Sequence, residues 1–276
     1  MRRCVFVTSP VLRCLAMASG ATSVARTQAV WRTTYRPVCN EALSSTPVAE
    51  ALAAIRSKVK AASASAEQPQ EPRLVAVSKT KPVELLREAY DAGMRDFGEN
   101  YVQELVAKAP DMPSDISWRF IGKLQSNKAK VLVSGVPSLA CVETVDSKKL
   151  ASKLQTAVSA LDPPRTMPLD VMVQVNTSPW EGTKSGVEVE EASELALHIR
   201  DACPDLRLVG LMTIGAPGES SCFDALSDCR RVVAEALGLN SEDSLELSMG
   251  MSGDFEVAIA KGSTSVRVGS SIFGAR

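Results

Sequence analysis

The 276-residue chain has a single histidine, His198, and its seven cysteines form no C-x-x-C pair. A serine hydrolase triad or a metal centre built on imidazole ligands depends on histidine, so one histidine argues against both. The cysteine spacing also lacks the pattern of a zinc site. His198 shares a predicted helix face with Glu194, which predicts a solvated pair four residues apart.

The chain also lacks an excess of either charge and any long apolar run. Thirty-one basic residues face 32 acidic ones, which gives no support for a nucleic-acid-binding surface. No stretch of 18 apolar residues is present, so a transmembrane helix is not expected. Hydrophobic residues still make up 45% of the sequence, enough for a sizeable core. We expect Cys141, Cys203, Cys222 and Cys229 to be buried thiols in a reducing compartment.

The first 40 residues contain six arginines, no lysine and no acidic residue, and the first acid is Glu41. This composition is typical of an organellar transit peptide and favours the mitochondrion over the plastid, with the cytoplasm as the alternative. An unstructured tail, or a true start at Met17, would also account for it. We therefore predict a leader over residues 1–45 and one folded domain over residues 46–276.

The rest of the sequence alternates between β-branched runs and segments with helical spacing. A helix is predicted over 47–64, and helical segments separate eight predicted strands at 73–78, 94–99, 117–122, 138–143, 169–176, 206–214, 244–249 and 264–269. Such alternation predicts a parallel sheet covered by helices, and eight units predict a single (β/α)₈ TIM barrel with an extra N-terminal helix. A doubly wound open sheet is the alternative. No G-x-G-x-x-G follows the first strand, which counts against it.

Lys79 directly follows the first apolar strand, so a barrel would carry its amine into the mouth. A lysine amine that is desolvated there can form a Schiff base with an aldehyde. A solvated lysine at the rim is the alternative interpretation, and Lys81 fits it well.

Small residues follow the last two predicted strands, in GMSG (250–253) and VRVGSS (266–271). Exposed backbone N–H groups and serine hydroxyls at this position of a barrel are typical of a phosphate site, although ordinary turns use the same residues. A lysine amine that can condense with a carbonyl group, next to a site for a phosphate, indicates a phosphorylated aldehyde as the ligand. Pyridoxal 5′-phosphate fits this description, and so does the sugar phosphate of a Schiff-base aldolase.

Several motifs together resemble one family. They are VAVSKTKP (75–82), FGENYVQE (97–104), FIGKLQSNK (120–128), VETVDS (142–147), KSG (184–186), GLMTI (210–214) and the block LSMGMSGDFEVAIAKGSTSVRVGSSIFG (247–274). They are similar to the pyridoxal phosphate homeostasis proteins, single-domain proteins that resemble the N-terminal barrel of alanine racemase and its fold-type III cofactor site. The resemblance runs from about residue 48 to residue 276. Lys123 departs from it, because relatives often carry His or Pro at this position.

The resemblance implies seven cofactor-binding residues: Lys79, Asn100, Met249, Ser252, Arg267, Gly269 and Ser270. By that resemblance Lys79 forms the internal aldimine with pyridoxal 5′-phosphate, and Arg267 faces the pyridine nitrogen. Ser252, Gly269 and Ser270 hold the phosphate, while Asn100 and Met249 line the pocket. The family binds the cofactor without catalytic turnover and buffers it or delivers it to pyridoxal phosphate-dependent apoenzymes, by transfer to an acceptor lysine.

An amino-acid racemase is the alternative function. A racemase needs a base on each face of the substrate α-carbon, and Lys79 offers only one. In the racemases that this barrel resembles, the second base is a tyrosine from another domain. Outside the leader only Tyr90 and Tyr101 are present, and the chain ends at Arg276, so we expect no such domain. We expect a monomeric carrier with no nucleic-acid or membrane partner.

Overall fold

The structure, a computed structural model, describes residues 46–178, 186–216 and 218–275. The predicted leader over residues 1–45 and the first two residues of the KSG motif lie outside the described residues. The described part contains eight strands, β1 Arg73–Val77, β2 Asp96–Glu99, β3 Ser117–Phe120, β4 Leu139–Val145, β5 Leu169–Gln174, β6 Leu206–Met212, β7 Glu246–Met251 and β8 Ser265–Val268. Its α-helices are α1 Pro47–Ser65, α2 Val83–Asp91, α3 Val102–Lys108, α4 Ala129–Gly135, α5 Lys148–Ser159, α6 Ala192–Ala202, α7 Ser221–Leu237, α8 Phe255–Ala260 and α9 Ser270–Phe273.

The eight strands form a closed parallel barrel in sequence order. Each strand pairs with its neighbour in the sequence, and β8 returns to pair with β1, with Val75 opposite Arg267. This closure confirms the predicted (β/α)₈ barrel and shows that the open doubly wound sheet was the wrong alternative. Because all strands run in the same direction, their carboxyl ends meet at one mouth.

Helix α1 precedes the barrel, as the sequence predicts. Its first turn is capped by Thr46, whose hydroxyl oxygen accepts a hydrogen bond from the Ala49 N–H at 3.2 Å, and Pro47 occupies the first turn. The predicted apolar stripe is buried, and Leu52 and Val59 are each only 1% exposed. The helix packs beside α8 and α9, so it covers the outside of the barrel where the chain closes.

Two helices begin a turn or more later than their predictions. The helix predicted over 188–202 begins as α6 at Ala192, after a 3-10 turn over Val189–Glu191. The spacing predicts a helix over 124–133, but α4 begins only at Ala129, after a 3-10 turn over Ser126–Lys128. A single tight turn commonly leads into an α-helix, and its periodicity resembles that of the helix itself. The apolar stripe therefore identified each helix correctly and its start incorrectly.

The two faces of each strand have different surroundings. Outward-facing side chains such as Phe97, Met249 and Val268 join the hydrophobic layer between sheet and helices. Inside the barrel, Cys141, Met172 and Met212 form a small separate apolar cluster. The interior also carries charged and polar side chains, among them Arg119, Glu143, Ser248 and Arg267. In the described ranges no helix has the length and apolar character needed to span a bilayer.

Candidate functional site

A cavity of about 370 Å³ lies at the carboxyl ends of the strands. Six of the seven residues that the resemblance implies line it, namely Lys79, Asn100, Ser252, Arg267, Gly269 and Ser270. They come from the ends of β1, β2, β7 and β8 and the loops that follow, which lie far apart in the sequence. The barrel brings them together at one opening.

The seventh residue, Met249, lies elsewhere. Its side chain is fully buried in the hydrophobic layer outside the barrel, and Met251 lines the cavity instead. Side chains alternate between the two faces of a strand, and Ser248 points into the barrel, so Met249 points out. The expectation that the Met249 side chain lines the pocket is therefore corrected.

Five apolar side chains that received no role from the sequence also line the cavity, namely Val77, Ile121, Met212, Ile214 and Met251. Their only signal in the sequence is their position at or just after a strand end. Lys123, where the sequence departs from the resemblance, does not line this cavity. It is exposed and belongs to a separate surface groove between α4 and α5, so the departure leaves the cavity lining unchanged.

The charge of the cavity favours an anionic ligand. Lys79, Lys81 and Arg267 line it, and its described lining contains no Asp or Glu side chain. Lys79 is half-buried at the end of β1. The Lys81 ammonium group donates to the main-chain oxygens of Gly274 and Ala275 at 3.0 and 2.8 Å. The two lysines are two residues apart but have different surroundings.

Arg267 is fixed in the cavity floor by hydrogen bonds from both ends of its guanidinium group. It donates from Nη1 to Ser248 Oγ and from Nη2 to the carbonyl oxygen of Thr213, each at 2.7 Å. Its side chain comes from β8 and its partners from β7 and the end of β6, so the bonds cross the barrel interior. Arg267 is only 4% exposed, and burial lowers its pKa although the nearby carboxylate of Glu143 opposes that shift.

Glu143 is the anion on which this interior depends. Its Oε1 accepts from Arg119 Nε at 2.5 Å, and its Oε2 accepts from the Ser248 hydroxyl at 2.6 Å. Burial alone would raise the pKa of Glu143, but Arg119, Arg267 and the Ser248 hydrogen bond lower it below its ordinary value. Burial likewise opposes the charge on Arg119, and Glu143 raises the pKa of that guanidinium above its ordinary range. The result is one continuous chain of bonds from Arg119 to Arg267.

The loops after β7 and β8 are tied to each other. Ser252 Oγ accepts a hydrogen bond from the Gly269 N–H at 3.2 Å. Asp254 holds the β7 loop, because its Oδ1 accepts from the Met251 N–H at 2.6 Å. Gly250, the last residue but one of β7, has a φ of +92° that is rare for other residues, and a Cβ there would lie 2.5 Å from that of Ala258. The predicted anion loops are thus adjacent and ordered by their own contacts.

Asn100 is placed by a close approach of two loops. A Cβ on Gly122 would lie 2.0 Å from the main-chain oxygen of Asn100. Only glycine therefore allows the segments after β2 and β3 to lie this close together. Asn100 Oδ1 is buried and has no hydrogen-bond partner among the described residues. A buried acceptor without a partner is unusual, and at a cavity wall it marks a place for a ligand donor.

The remaining predictions concern histidine and cysteine. His198 Nε2 lies 3.2 Å from Ser152 Oγ, while Glu194 pairs with Lys148, so the predicted Glu194–His198 pair was wrong. Both partners come from α5, because α5 packs beside α6 and offers closer groups than the same helix does. The four described cysteines are buried free thiols, as expected. In the described ranges no cluster of His, Cys, Asp and Glu has the arrangement of a metal site.

Comparisons with known proteins agree on the family. The profile of the alanine racemase N-terminal domain matches residues 51–276. The pyridoxal phosphate homeostasis protein of Mus musculus is 49% identical over 217 residues, which cover 75% of this chain and 77% of the mouse protein. The chain belongs to the pyridoxal phosphate homeostasis protein family. Members of this family are named for the handling of pyridoxal phosphate.

Solved structures agree with this assignment. PipY of Synechococcus elongatus, solved with pyridoxal phosphate (PLP) bound, is 35% identical, with a TM-score of 0.65 over 82% of this chain and all of PipY. Alanine racemase of Corynebacterium glutamicum is 16% identical, with a TM-score of 0.59 over 83% of this chain and 61% of the racemase. The likeness to the racemase shows a shared barrel only.

The cavity of this member of the pyridoxal phosphate homeostasis protein family offers the chemical groups that PLP needs. The cofactor carries an aldehyde, a phosphate, a phenolic hydroxyl and a ring nitrogen. Against these the cavity offers a lysine amine, two adjacent loops with hydroxyls and N–H groups, an acceptor oxygen without a partner at Asn100, and a guanidinium group. The residues present therefore fit the group.

We expect Glu143→Gln to destabilise the barrel by about 3 kcal/mol, because two buried arginines lose their shared counter-charge. Urea unfolding at neutral pH measures the change. Glu194→Gln, which removes an exposed partner of Lys148, is the control and should leave the unfolding midpoint unchanged. Equal effects of the two substitutions would contradict the importance of the buried network.

The pH dependence of unfolding gives a second expectation. The folded pKa of Glu143 lies below its ordinary 4.5, so its contribution is complete above that value and is lost as the pH falls through the folded pKa. The difference in unfolding free energy between the wild type and Glu143→Gln should therefore narrow on acidification below 4.5. A difference that stays constant or widens would contradict this assignment.

Gly122→Ala should destabilise the protein by about 1–3 kcal/mol, because the new Cβ collides with the main chain of Asn100. Gly253→Ala is the matched control, since a Cβ there meets nothing within 4 Å. Denaturant unfolding of both variants checks the expectation. A Gly122→Ala protein as stable as Gly253→Ala would show that the two loops separate without cost.

Proposed function

We propose that this protein binds PLP in the cavity at the mouth of the barrel and takes part in cellular homeostasis of the cofactor. The observation that carries the proposal is the convergence of Lys79, Arg267 and the small-residue loops after β7 and β8 in one cavity. Membership of a family named for PLP homeostasis, and a relative solved with PLP bound, support it.

Lys79 is the proposed point of covalent attachment. When bound, PLP supplies an aldehyde with which an amine condenses, with loss of one water molecule. Lys79 follows β1 at the mouth of the barrel and lines the cavity, so a lysine lies within the proposed site. Ser252, Gly269 and Ser270 would hold the phosphate with hydroxyl and N–H groups, and these donors need no proton transfer to act.

Arg267 is proposed to face the ring nitrogen. A guanidinium group has donors only and stays charged under ordinary conditions, so a nitrogen that accepts from it is not protonated. An unprotonated ring draws electrons weakly, and PLP enzymes usually strengthen this effect with an acid at the same position. The network through Ser248 and Glu143 keeps Arg267 in place. A weak electron sink fits a carrier, and the racemase is distinguished from it by the need for a second base.

Among the described residues, the tyrosines and the other lysine at the cavity offer no second base for the racemase alternative. Of the described tyrosines, neither lines the cavity. The Tyr90 hydroxyl donates to Asp115 Oδ1 at 2.6 Å, and Arg95 lies 3.8 Å from the centre of its ring, at the end of α2 away from the mouth. Tyr101 precedes α3 with 53% of its surface exposed. Lys81 is the other lysine at the cavity, and its amine is held by two carbonyl oxygens.

An absorbance spectrum of the protein with PLP, before and after borohydride, tests the attachment. We expect a visible band in the wild type and in Lys81→Ala, and borohydride should fix the cofactor onto Lys79. Lys79→Ala should lose both the band and the trapping. Lys81→Ala is a matched control, because it removes a lysine amine from the same cavity.

The same preparation separates carrier from racemase. Wild-type protein saturated with PLP should leave L-alanine unracemised. A protein that remains colourless with added PLP would contradict the proposed function as a whole. Racemisation that disappears in Lys79→Ala would contradict the carrier and establish the racemase.

We further propose that the carrier is a monomer and passes its cofactor to PLP-dependent apoenzymes. An apoenzyme mixed with the loaded protein should regain activity, faster than with the same concentration of protein reduced by borohydride. Light scattering should give a mass near the 29.4 kDa of one chain, or less if the leader is removed. A mass of two chains would contradict the monomer.

We propose that the protein is imported into mitochondria, and the composition of residues 1–45 supports this. A fluorescent protein carrying residues 1–45 should enter mitochondria, and replacement of the six arginines by glutamine should leave it in the cytoplasm. Cytoplasmic fluorescence from the unaltered fusion would favour the alternative location.

A further inference from the structure

A cluster of buried charges lies beside the cavity, on β2 and α3. Its centre is Lys108, which is only 7% exposed. The ammonium group donates to Glu104 Oε1 at 2.6 Å, to Glu99 Oε1 at 2.7 Å and to the carbonyl oxygen of Ser78 at 2.9 Å. These three bonds use all three hydrogens of the ammonium group.

The cluster holds the chain on both sides of Lys79. Before Lys79, the Ser78 carbonyl accepts from Lys108, and the Ser78 hydroxyl donates to Glu99 Oε1 at 2.7 Å. After it, the Thr80 N–H donates to Glu104 Oε1 at 2.6 Å. Both residues next to Lys79 in the sequence are therefore hydrogen-bonded to the Lys108 ammonium group or to a carboxylate that pairs with it.

The backbone at Thr80 needs such support. Its φ is +62°, in the left-handed region that β-branched residues rarely adopt. Unfavourable backbone conformations persist where the surroundings fix them, and they concentrate at functional sites. Here the Glu104 carboxylate fixes the N–H of Thr80. The turn reverses the chain direction directly after Lys79.

Stability alone does not account for the cluster. Burial raises the pKa of Glu99, although Lys108 and Ser78 favour its charged form. Its Oε2 is buried without a hydrogen-bond partner among the described residues. Replacing a buried ion pair by apolar side chains is often neutral or stabilising, so a contribution to stability is a weak explanation for ions at such a place.

We propose that Lys108, with Glu99 and Glu104, is a positioning device that fixes the chain around Lys79 and so presents its amine to the carbonyl of a bound ligand. The proposal rests on the proposed function of Lys79 as the attachment point for PLP. None of the three residues lines the cavity, so they act through Ser78 and Thr80 and do not touch the ligand.

Lys108→Met tests the proposal, because it removes the ammonium group and keeps an unbranched stem. We expect its attachment to PLP, measured as growth of the visible band and as borohydride trapping, to be at least about tenfold slower than in the wild type. Binding of pyridoxamine 5′-phosphate, which has the phosphate and ring but no aldehyde, should change by less than about threefold. A general collapse of the site would weaken both ligands together.

Arg230→Met is the matched control. Arg230 is also largely buried and lies near two carboxylates, with Nη2 3.8 Å from Glu242 and 3.4 Å from Asp243, but it does not line the cavity. Its loss should lower the unfolding temperature without changing the attachment rate. An equal loss of attachment rate in this variant would overturn the assignment to Lys108.

Glu104 provides a second test if Lys108→Met fails to fold, because Glu104 is partly exposed. Glu104→Gln keeps an acceptor oxygen for the Thr80 N–H, whereas Glu104→Ala removes it. We expect attachment to be slowed in Glu104→Ala and largely rescued in Glu104→Gln. A purely structural contribution would show itself in unfolding temperature and leave both attachment rates unchanged.

Failure of this proposal differs from failure of the proposed function. If the wild type shows no borohydride-trapped cofactor, the attachment to Lys79 is wrong and the positioning role falls with it. If the wild type is trapped and both Lys108→Met and Glu104→Ala attach PLP at the wild-type rate, the positioning role alone is overturned. A parallel loss of pyridoxamine 5′-phosphate binding would also overturn it.

Discussion

The ion pair between Glu143 and Arg119 inside the barrel is the interaction on which the rest of the site depends. An eight-stranded barrel interior is ordinarily filled by layers of branched apolar side chains. Here two guanidinium groups, Arg119 and Arg267, enter the interior and are 5% and 4% exposed. Such charges are tolerated when they are paired and hydrogen-bonded. Glu143 and Ser248 meet that condition, and they allow Arg267 to reach the cavity floor as a fixed cation.

The cavity lies between two buried ionic clusters with different contacts. One passes through the barrel interior and ends at Arg267, while the other is centred on Lys108 outside the interior and flanks Lys79. Each holds residues of the cavity by contacts within the protein itself, Arg267 in the first cluster and the neighbours of Lys79 in the second. A site arranged in this way has its donors fixed before binding, which reduces the ordering that binding costs. Such prior ordering fits the proposed role of the protein as a PLP carrier.

Much of the fold could be predicted from local patterns. The alternation of β-branched runs with helical stripes identified the eight strands, and the apolar stripe through Leu52 and Val59 identified α1. The start of α4 was wrong because a 3-10 turn has nearly the same period as the helix that follows it. For the site, position after a strand end located Lys79 and the two small-residue loops. Met249 was assigned to the pocket by the family resemblance, and strand alternation turns its side chain away from the cavity.

The sequence by itself determined the period of each element, and with it the barrel, and the residue types at the strand ends that indicate a phosphorylated aldehyde. These properties are local, because period and strand-end position depend on neighbours along the chain. Tertiary structure alone decided that Glu143 bonds to Ser248, 105 residues away, and that Lys108 reaches the carbonyl of Ser78. Those contacts depend on barrel closure and on the direction in which each side chain leaves its strand or helix. No pattern within one segment carries that information.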